Sequence, residues 1–304
     1  MSKLPKKQCF GSALAVIVIG ASVALVFLAP GSVTAQTPHA AAKAWDPPRT
    51  PDGQPDIQGF WDTQEYVGSV ETGLRNPVSA KIQGQNIGSP AVVATGKPVS
   101  NIIDPPDGKI PYQPWAEARR QEIASRYGPG TPLSARDLGP EIICTIGLPR
   151  IVYFVEFQVV QTPGQVVMSF ERTHSYRVIP LNEDGRPRLA SNVKLHMGDA
   201  RGHWEGNTLV VNTTNLKDWS WFDGSGSIHT DAMSLVERFT AVDPNTLKYQ
   251  VTVEDPKAFT RPWTMAFTFS RQHAQGGYEV MEWACPEGER ALENILGYDP
   301  RKPR

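Results

Sequence analysis

From residue 151 onward the chain is a succession of short β-type runs separated by turn residues, with no stretch between them long and periodic enough for a crossover helix. Runs rich in Val, Ile, Phe, Tyr and Thr span 151–160, 166–170, 175–181, 201–205, 208–214, 233–241, 246–253, 263–270 and 278–285. Parallel neighbours need crossovers of about a dozen residues or more, so a parallel α/β architecture is excluded. Glu205-Gly206-Asn207 and Asp243-Pro244-Asn245 are short enough for antiparallel hairpins. The expected fold is therefore mainly β: an antiparallel meander closing into a barrel or strongly curved sheet, loosely lipocalin-like.

The first half of the chain is irregular. Its share of the 27 prolines and 26 glycines is high, and 65–110 reads as loop without sustained periodicity. Ile57–Trp61 is a first strand. Residues 114–127 form one surface helix, with Pro114 in its first turn and Gly128 past its end. A proline-rich leader over 36–56 wraps the body or dangles from it. One domain over 57–304 is expected, loop-rich to 149, a strand meander over 150–285, and a tail over 286–304.

Residues 1–35 read as a secretory signal peptide: Lys3, Lys6 and Lys7 precede an apolar run from Ala13 to Ala29, and Val33 and Ala35 supply small residues before a cleavage at Gln36. An uncleaved anchor is the alternative, since a span needs ~20 apolar residues. Either way the body is periplasmic or secreted. Cys9 is lost with the signal, leaving Cys144 and Cys285, an even pair in an oxidising compartment. A disulfide between them would close a loop of roughly 140 residues and stabilise the fold by about 4–5 kcal/mol on the chain-entropy estimate. Net charge is −1, and no basic run interleaves with aromatics, so nothing points to a nucleic-acid partner.

The candidate chemistry comes from side chains on unexpected faces. Along 199–205, Asp199, Arg201, His203 and Glu205 share one face, and Ala200, Gly202 and Trp204 the other. The ionisable face is either wet surface or the lining of a barrel. Glu237 falls among Met233, Leu235 and Phe239, and Glu282 among Tyr278, Val280 and Ala284. A carboxylate on an apolar face must be paired or carry a raised pKa. Together with His229, Asp231 and Arg238, these groups are expected to converge in a lumen. His229 or His203 would move a proton, Asp231 or Asp199 would orient the imidazole, and Arg201 or Arg238 would stabilise negative charge. Glu282 and Arg238 would bind ligand, as would the aromatics Trp219, Trp221 and Phe222 near a barrel mouth. An ion-pair network is the competing reading of the same groups.

His196, His203 and His229 have no metal-motif spacing, and no metal or other cofactor is expected. There is no Gly-x-Ser-x-Gly elbow and no phosphate-binding glycine loop.

Several phrases resemble a family of secreted, uncharacterised bacterial proteins. They are Pro55-Asp56-Ile57-Gln58-Gly59-Phe60-Trp61, the run from Gly198 to Val211, and His229-Thr230-Asp231-Ala232 followed by Glu237-Arg238-Phe239; Cys144 with Pro149-Arg150, and Ala284-Cys285, also look like its pattern. The resemblance covers most of the mature chain. It implies a mostly β domain and no particular activity.

The function expected is an exported barrel that binds a small, largely apolar or amphipathic molecule and performs acid–base chemistry on it as a lyase, isomerase or hydrolase. The alternative is a non-catalytic periplasmic carrier or envelope scaffold.

Overall fold

The computed structural model describes residues 45–63, 69–71, 81–82, 85–86, 100–126, 144–154, 156–181, 187–218, 221–223, 226–271 and 279–283. All of them belong to a unit spanning Ala44–Arg304, which is separate from Met1–Lys43. The expected signal segment, Trp219, Cys285 and the tail lie outside the described residues.

The architecture is a nearly closed antiparallel barrel. In chain order its strands are β1 (Gly59–Thr63), β4 (Ile102–Asp104), β5 (Phe157–Thr162), β6 (Gln165–Phe170), β7 (Tyr176–Pro180), β8 (Asp199–Glu205), β9 (Thr208–Thr214), β10 (Ser234–Asp243), β11 (Thr246–Glu254) and β12 (Trp263–Arg271). A separate small hairpin pairs β2 (Lys81–Ile82) with β3 (Gln85–Asn86). Around the barrel the order is β7-β6-β5-β1-β12-β11-β10-β9-β8, and β4 shares the edge of β12 with β1. Two meanders, β5–β7 and β8–β12, are thus stitched together by the early strand β1.

The ends of this sheet, β7 and β8, meet at a seam. Gly202 of β8 is what lets them approach: a Cβ there would lie 2.8 Å from Ile179 Cγ2 and 3.0 Å from Leu181 Cδ2, closer than packed carbons tolerate.

Period-two alternation decides the interior. Leu235, Glu237, Phe239 and Ala241 of β10, Leu247, Tyr249, Val251 and Val253 of β11, and Trp263, Met265, Phe267 and Phe269 of β12 are buried. Phe157, Val159, Val166, Met168, Phe170 and Ile179 complete the lining from the other meander. Aromatic rings dominate it, with Tyr153 stacked on Phe267 at 4.3 Å and Phe157 edge-on to Phe269 at 5.2 Å. Each fully buried ring stabilises the fold by roughly 1.5–3 kcal/mol, so the barrel is a packed core and not an open tube.

Three expectations about elements change. Residues 151–154 do not begin a strand but lie in a short helix, α2 (Arg150–Phe154), whose Arg150, Ile151, Val152 and Tyr153 are all buried. A short apolar run buried on every side has no periodicity that distinguishes helix from strand. The last expected strand is absent among the described residues, since 279–283 carry no strand and Met281, Glu282 and Trp283 are exposed. β4 arises inside what reads as loop. The surface helix is α1 (Pro114–Arg126), with Ala116 turned inward and Trp115 outward.

The described part of the leader, 45–56, is tied to the body. Ile57 N–H donates to Gln161 Oε1 at 2.8 Å, and Gln161 Nε2 donates to Pro55 O at 3.1 Å. Trp204 Nε1 donates to Gln54 Oε1 at 3.1 Å, and Arg49 Nη2 to Asn207 Oδ1 at 3.0 Å. One segment therefore ties β5 to the β8–β9 hairpin across one end of the barrel. No helix among the described residues is long and apolar enough to cross a membrane.

Candidate functional site

The structure does not gather the sequence-derived candidates into one lumen. Asp199, Arg201, His203 and Glu205 lie on the outer face of β8, because Ala200, Gly202 and Trp204 pair with the inward Thr213, Val211 and Leu209 of β9. The outward set forms an ion-pair ladder. Arg201 Nη1 bonds Asp199 Oδ1, His203 Nε2 lies 3.1 Å from Glu205 Oε1, and Arg238 Nη2 lies 2.7 Å from Glu205 Oε2. Asp199 is buried beneath the 187–189 segment, whose Leu189 N–H donates to it at 3.0 Å. Arg238, followed by His203, lowers the pKa of Glu205, which stays well exposed. Solvation and pairing decide this arrangement: His203 and Glu205 keep their water, while the covered Asp199 is matched by Arg201 and the Leu189 N–H.

Asp231 is corrected likewise. It is half exposed and bonded to Lys257 Nζ at 2.8 Å, which holds its carboxyl below the ordinary range, and it does not orient an imidazole. Glu282 is exposed and lies outside any strand.

Glu237 is in the interior, 0 % exposed, and it is paired. Arg177 of β7 donates Nη1–H to Oε1 at 3.0 Å and Nη2–H to Oε2 at 2.5 Å. Tyr249 Oη donates to Oε1 at 2.9 Å, and Thr213 Oγ1 lies 3.4 Å from Oε2. Burial, reinforced by the Glu237 charge, pushes the Tyr249 phenol well above its ordinary range and keeps it a donor. Every Glu237 lone pair is thus engaged across three strands and the seam. This favours a closed structural network over a poised acid. Arg177 went unnoticed in the sequence, although it shares the face of Ile179 and Leu181 just as Glu237 shares that of Leu235 and Phe239. Two opposite charges misplaced on two apolar faces were the available signal.

His229 and Phe222 do come together. They sit at the end of the barrel where β10 and β12 begin and β11 ends, with ring centroids 5.6 Å apart. Phe222 is the hub of this end, 5.1 Å edge-on to Trp263 and 6.1 Å from Phe259. Its backbone is held on both sides: Phe222 N–H donates to Ser227 O at 2.9 Å, and Tyr153 Oη donates to Phe222 O. Gly226, at φ +77°, lets this turn approach α1, since a Cβ there would meet Ile123 Cγ2 at 2.5 Å.

His229 is 5 % exposed, and desolvation lowers its pKa, so the ring is neutral at pH 7. Its Nδ1 lies 3.0 Å from Thr230 O, an atom that only accepts, so Nδ1 carries the hydrogen and Nε2 a free lone pair. Asp255 sets this geometry at one remove. Its carboxylate takes Thr230 N–H at 2.6 Å and Thr230 Oγ1–H at 2.9 Å, and also accepts from Lys257 and Ala258 N–H. Asp255 was missed because an Asp in the Asp-Pro-Lys stretch between strands reads as ordinary turn chemistry.

Among the described residues His229 Nε2, fully buried, has no hydrogen-bond partner, and neither has Trp263 Nε1 on the other ring against Phe222. One is an acceptor and the other a donor. Buried polar atoms are matched nine times in ten; Arg177 Nε is another unmatched one in the interior, and what distinguishes this end is an acceptor and a donor on two rings packed against the same Phe222. Trp221 lies beside it, half-buried, and Trp219 falls outside the described residues. Among the described residues no group of three or more His, Cys, Asp or Glu side chains is gathered to hold a metal ion. No protein-family model matches the chain, and no curated protein matches it either.

Proposed function

We propose that this chain is an exported β-barrel protein that binds a small, largely apolar molecule at the barrel end formed by Phe222, Phe259, Trp263 and His229. The reading is carried by the buried His229 imidazole, whose Nε2 is unmatched inside an aromatic cluster. Elsewhere Arg177 and Glu237 are committed to each other, and the ladder on the outer face of β8 to its own ion pairs. Export is supported by the basic-then-apolar first 35 residues. A disulfide between Cys144 and Cys285, the two cysteines that the mature chain would retain, belongs to the same reading. Membership of the resembled family of secreted β-rich proteins belongs to the same proposal.

An apolar fluorophore tests the binding claim. N-phenyl-1-naphthylamine should bind saturably at one equivalent, and Phe222→Ala should weaken it while the far-ultraviolet spectrum stays unchanged. Absence of saturable binding by this probe and by naphthalene overturns the reading.

One observation favours an enzymatic form of it. A neutral imidazole with a fixed Nδ1–H and a basic Nε2 is the protonation state of a general base. In that form His229→Gln retains binding and abolishes turnover in a metabolite screen; in a carrier, no turnover is found with the wild type.

A further inference from the structure

Resting on that binding reading, we infer that the site selects neutral ligands that carry a hydroxyl on an apolar ring system, with His229 Nε2 accepting the hydroxyl hydrogen and Trp263 Nε1–H donating to its oxygen. The two atoms have complementary chemistry. Nε2 can only accept, because the Nδ1 hydrogen is committed to Thr230 O, and the indole N–H can only donate. Both rings pack against Phe222, at centroid distances of 5.6 Å and 5.1 Å. A hydroxyl is the smallest group that donates once and accepts at the same atom, and it matches both without bringing a charge.

The inference also states what the site rejects. Asp223 and Asp255 are buried at this end, at 0 % and 1 % exposure, and among the described residues no group hydrogen-bonds His229 Nε2. A carboxylate ligand would meet an imidazole that burial keeps neutral and would face two acidic side chains. An unsubstituted hydrocarbon would fill the space but leave both atoms unmatched. Discrimination between isosteres that differ by one hydrogen-bonding group is strongest where a site's own polar atoms would otherwise be stranded.

The test compares 2-naphthol with 2-methoxynaphthalene by fluorescence titration of the full mature chain. The ether keeps the ring system and the acceptor oxygen and replaces the hydrogen that His229 would accept with a methyl group, so the His229 variants separate the lost hydrogen bond from the added bulk. The wild type should hold 2-naphthol about tenfold more tightly, as a neutral hydrogen bond to an otherwise unmet acceptor predicts. His229→Phe should bring the two affinities together, and Trp263→Phe should weaken both while leaving their ratio. His229→Gln, which restores an acceptor near the Nε2 position, should recover part of the preference and serves where His229→Phe does not fold.

Equal affinities in the wild type overturn the inference and leave the apolar-ligand reading standing. A preference that survives in both His229 variants also overturns it, because another group then reads the hydrogen. If neither probe binds, both claims fall.

Discussion

Replacing the two charges inside the barrel singly and together is the sharpest check on how this fold is held. Arg177 and Glu237 are 2 % and 0 % exposed, and they exchange two hydrogen bonds across 60 residues of sequence. Breaking a buried pair by removing one member strands the other charge and costs about 3–5 kcal/mol. Arg177→Met should therefore destabilise by that amount, and Glu237→Leu by a similar one. Independent effects would sum to about 6–10 kcal/mol, a large part of the ~5–15 kcal/mol that stabilises a domain. The double variant should instead lie within about 2 kcal/mol of the wild type, because neither charge remains to be stranded. Part of the residue is the Tyr249 hydroxyl, which loses its 2.9 Å acceptor; adding Tyr249→Phe should recover ~1 kcal/mol or more. Equilibrium urea unfolding followed by tryptophan fluorescence measures all four proteins. Single variants that lose less than 1 kcal/mol would mean that water reaches the carboxylate. A double variant as unstable as the sum would mean that the charges are not each other's partners. Either result refutes the closed network.

Acid should destabilise the protein through one buried and one partly buried imidazole. Desolvation lowers the folded pKa of His229 and of His196, which lies 3.1 Å from Ile146 O. Below an unfolded value of about 6.5 the unfolded chain therefore binds more protons, and stability should fall with pH by up to ~1.4 kcal/mol per unit for each. His229→Gln should reduce that slope in a pH series of urea midpoints, and an unchanged slope would refute a neutral buried ring. Glu205→Gln should change stability by less than about 1 kcal/mol and only at low salt, since its partners on the outer ladder are solvated. Gly202→Ala should cost about 1–3 kcal/mol by pushing β7 from β8, and a neutral effect would show that the seam is loose. Peptide mapping without reductant should recover Cys144 joined to Cys285, and two alkylated thiols in native protein would exclude the bridge.

The strands were the most legible part of the chain. Residues 246–253 and 263–270 alternate, and their inward members, such as Leu247, Tyr249 and Val251, are those the period assigns. The helix over 114–126 was equally readable from its proline start. The site was legible only in part. His229 and Phe222 were recognisable as candidates, and their meeting depended on a turn closed by Ser227 and roofed by α1. Asp255 and Trp263 act there from between and within strands that pair far along the chain, and nothing local marks them.

Alternation along a strand states which residues share a face, and for this protein it went that far: it set Arg201, His203 and Glu205 apart from Ala200, Gly202 and Trp204. It does not state which face is turned inward. That choice was made by closure, because the β7–β8 seam has room for Gly202 against Ile179 and none for a charged side chain. Glu237 shows the same division. Its place on an apolar face was fixed by its own strand, and its character as a paired structural carboxylate was decided by Arg177 arriving from another meander. Local covalent geometry determines period. Solvation and packing, which are summed over the whole barrel, determine which charges stay in water and which find partners inside.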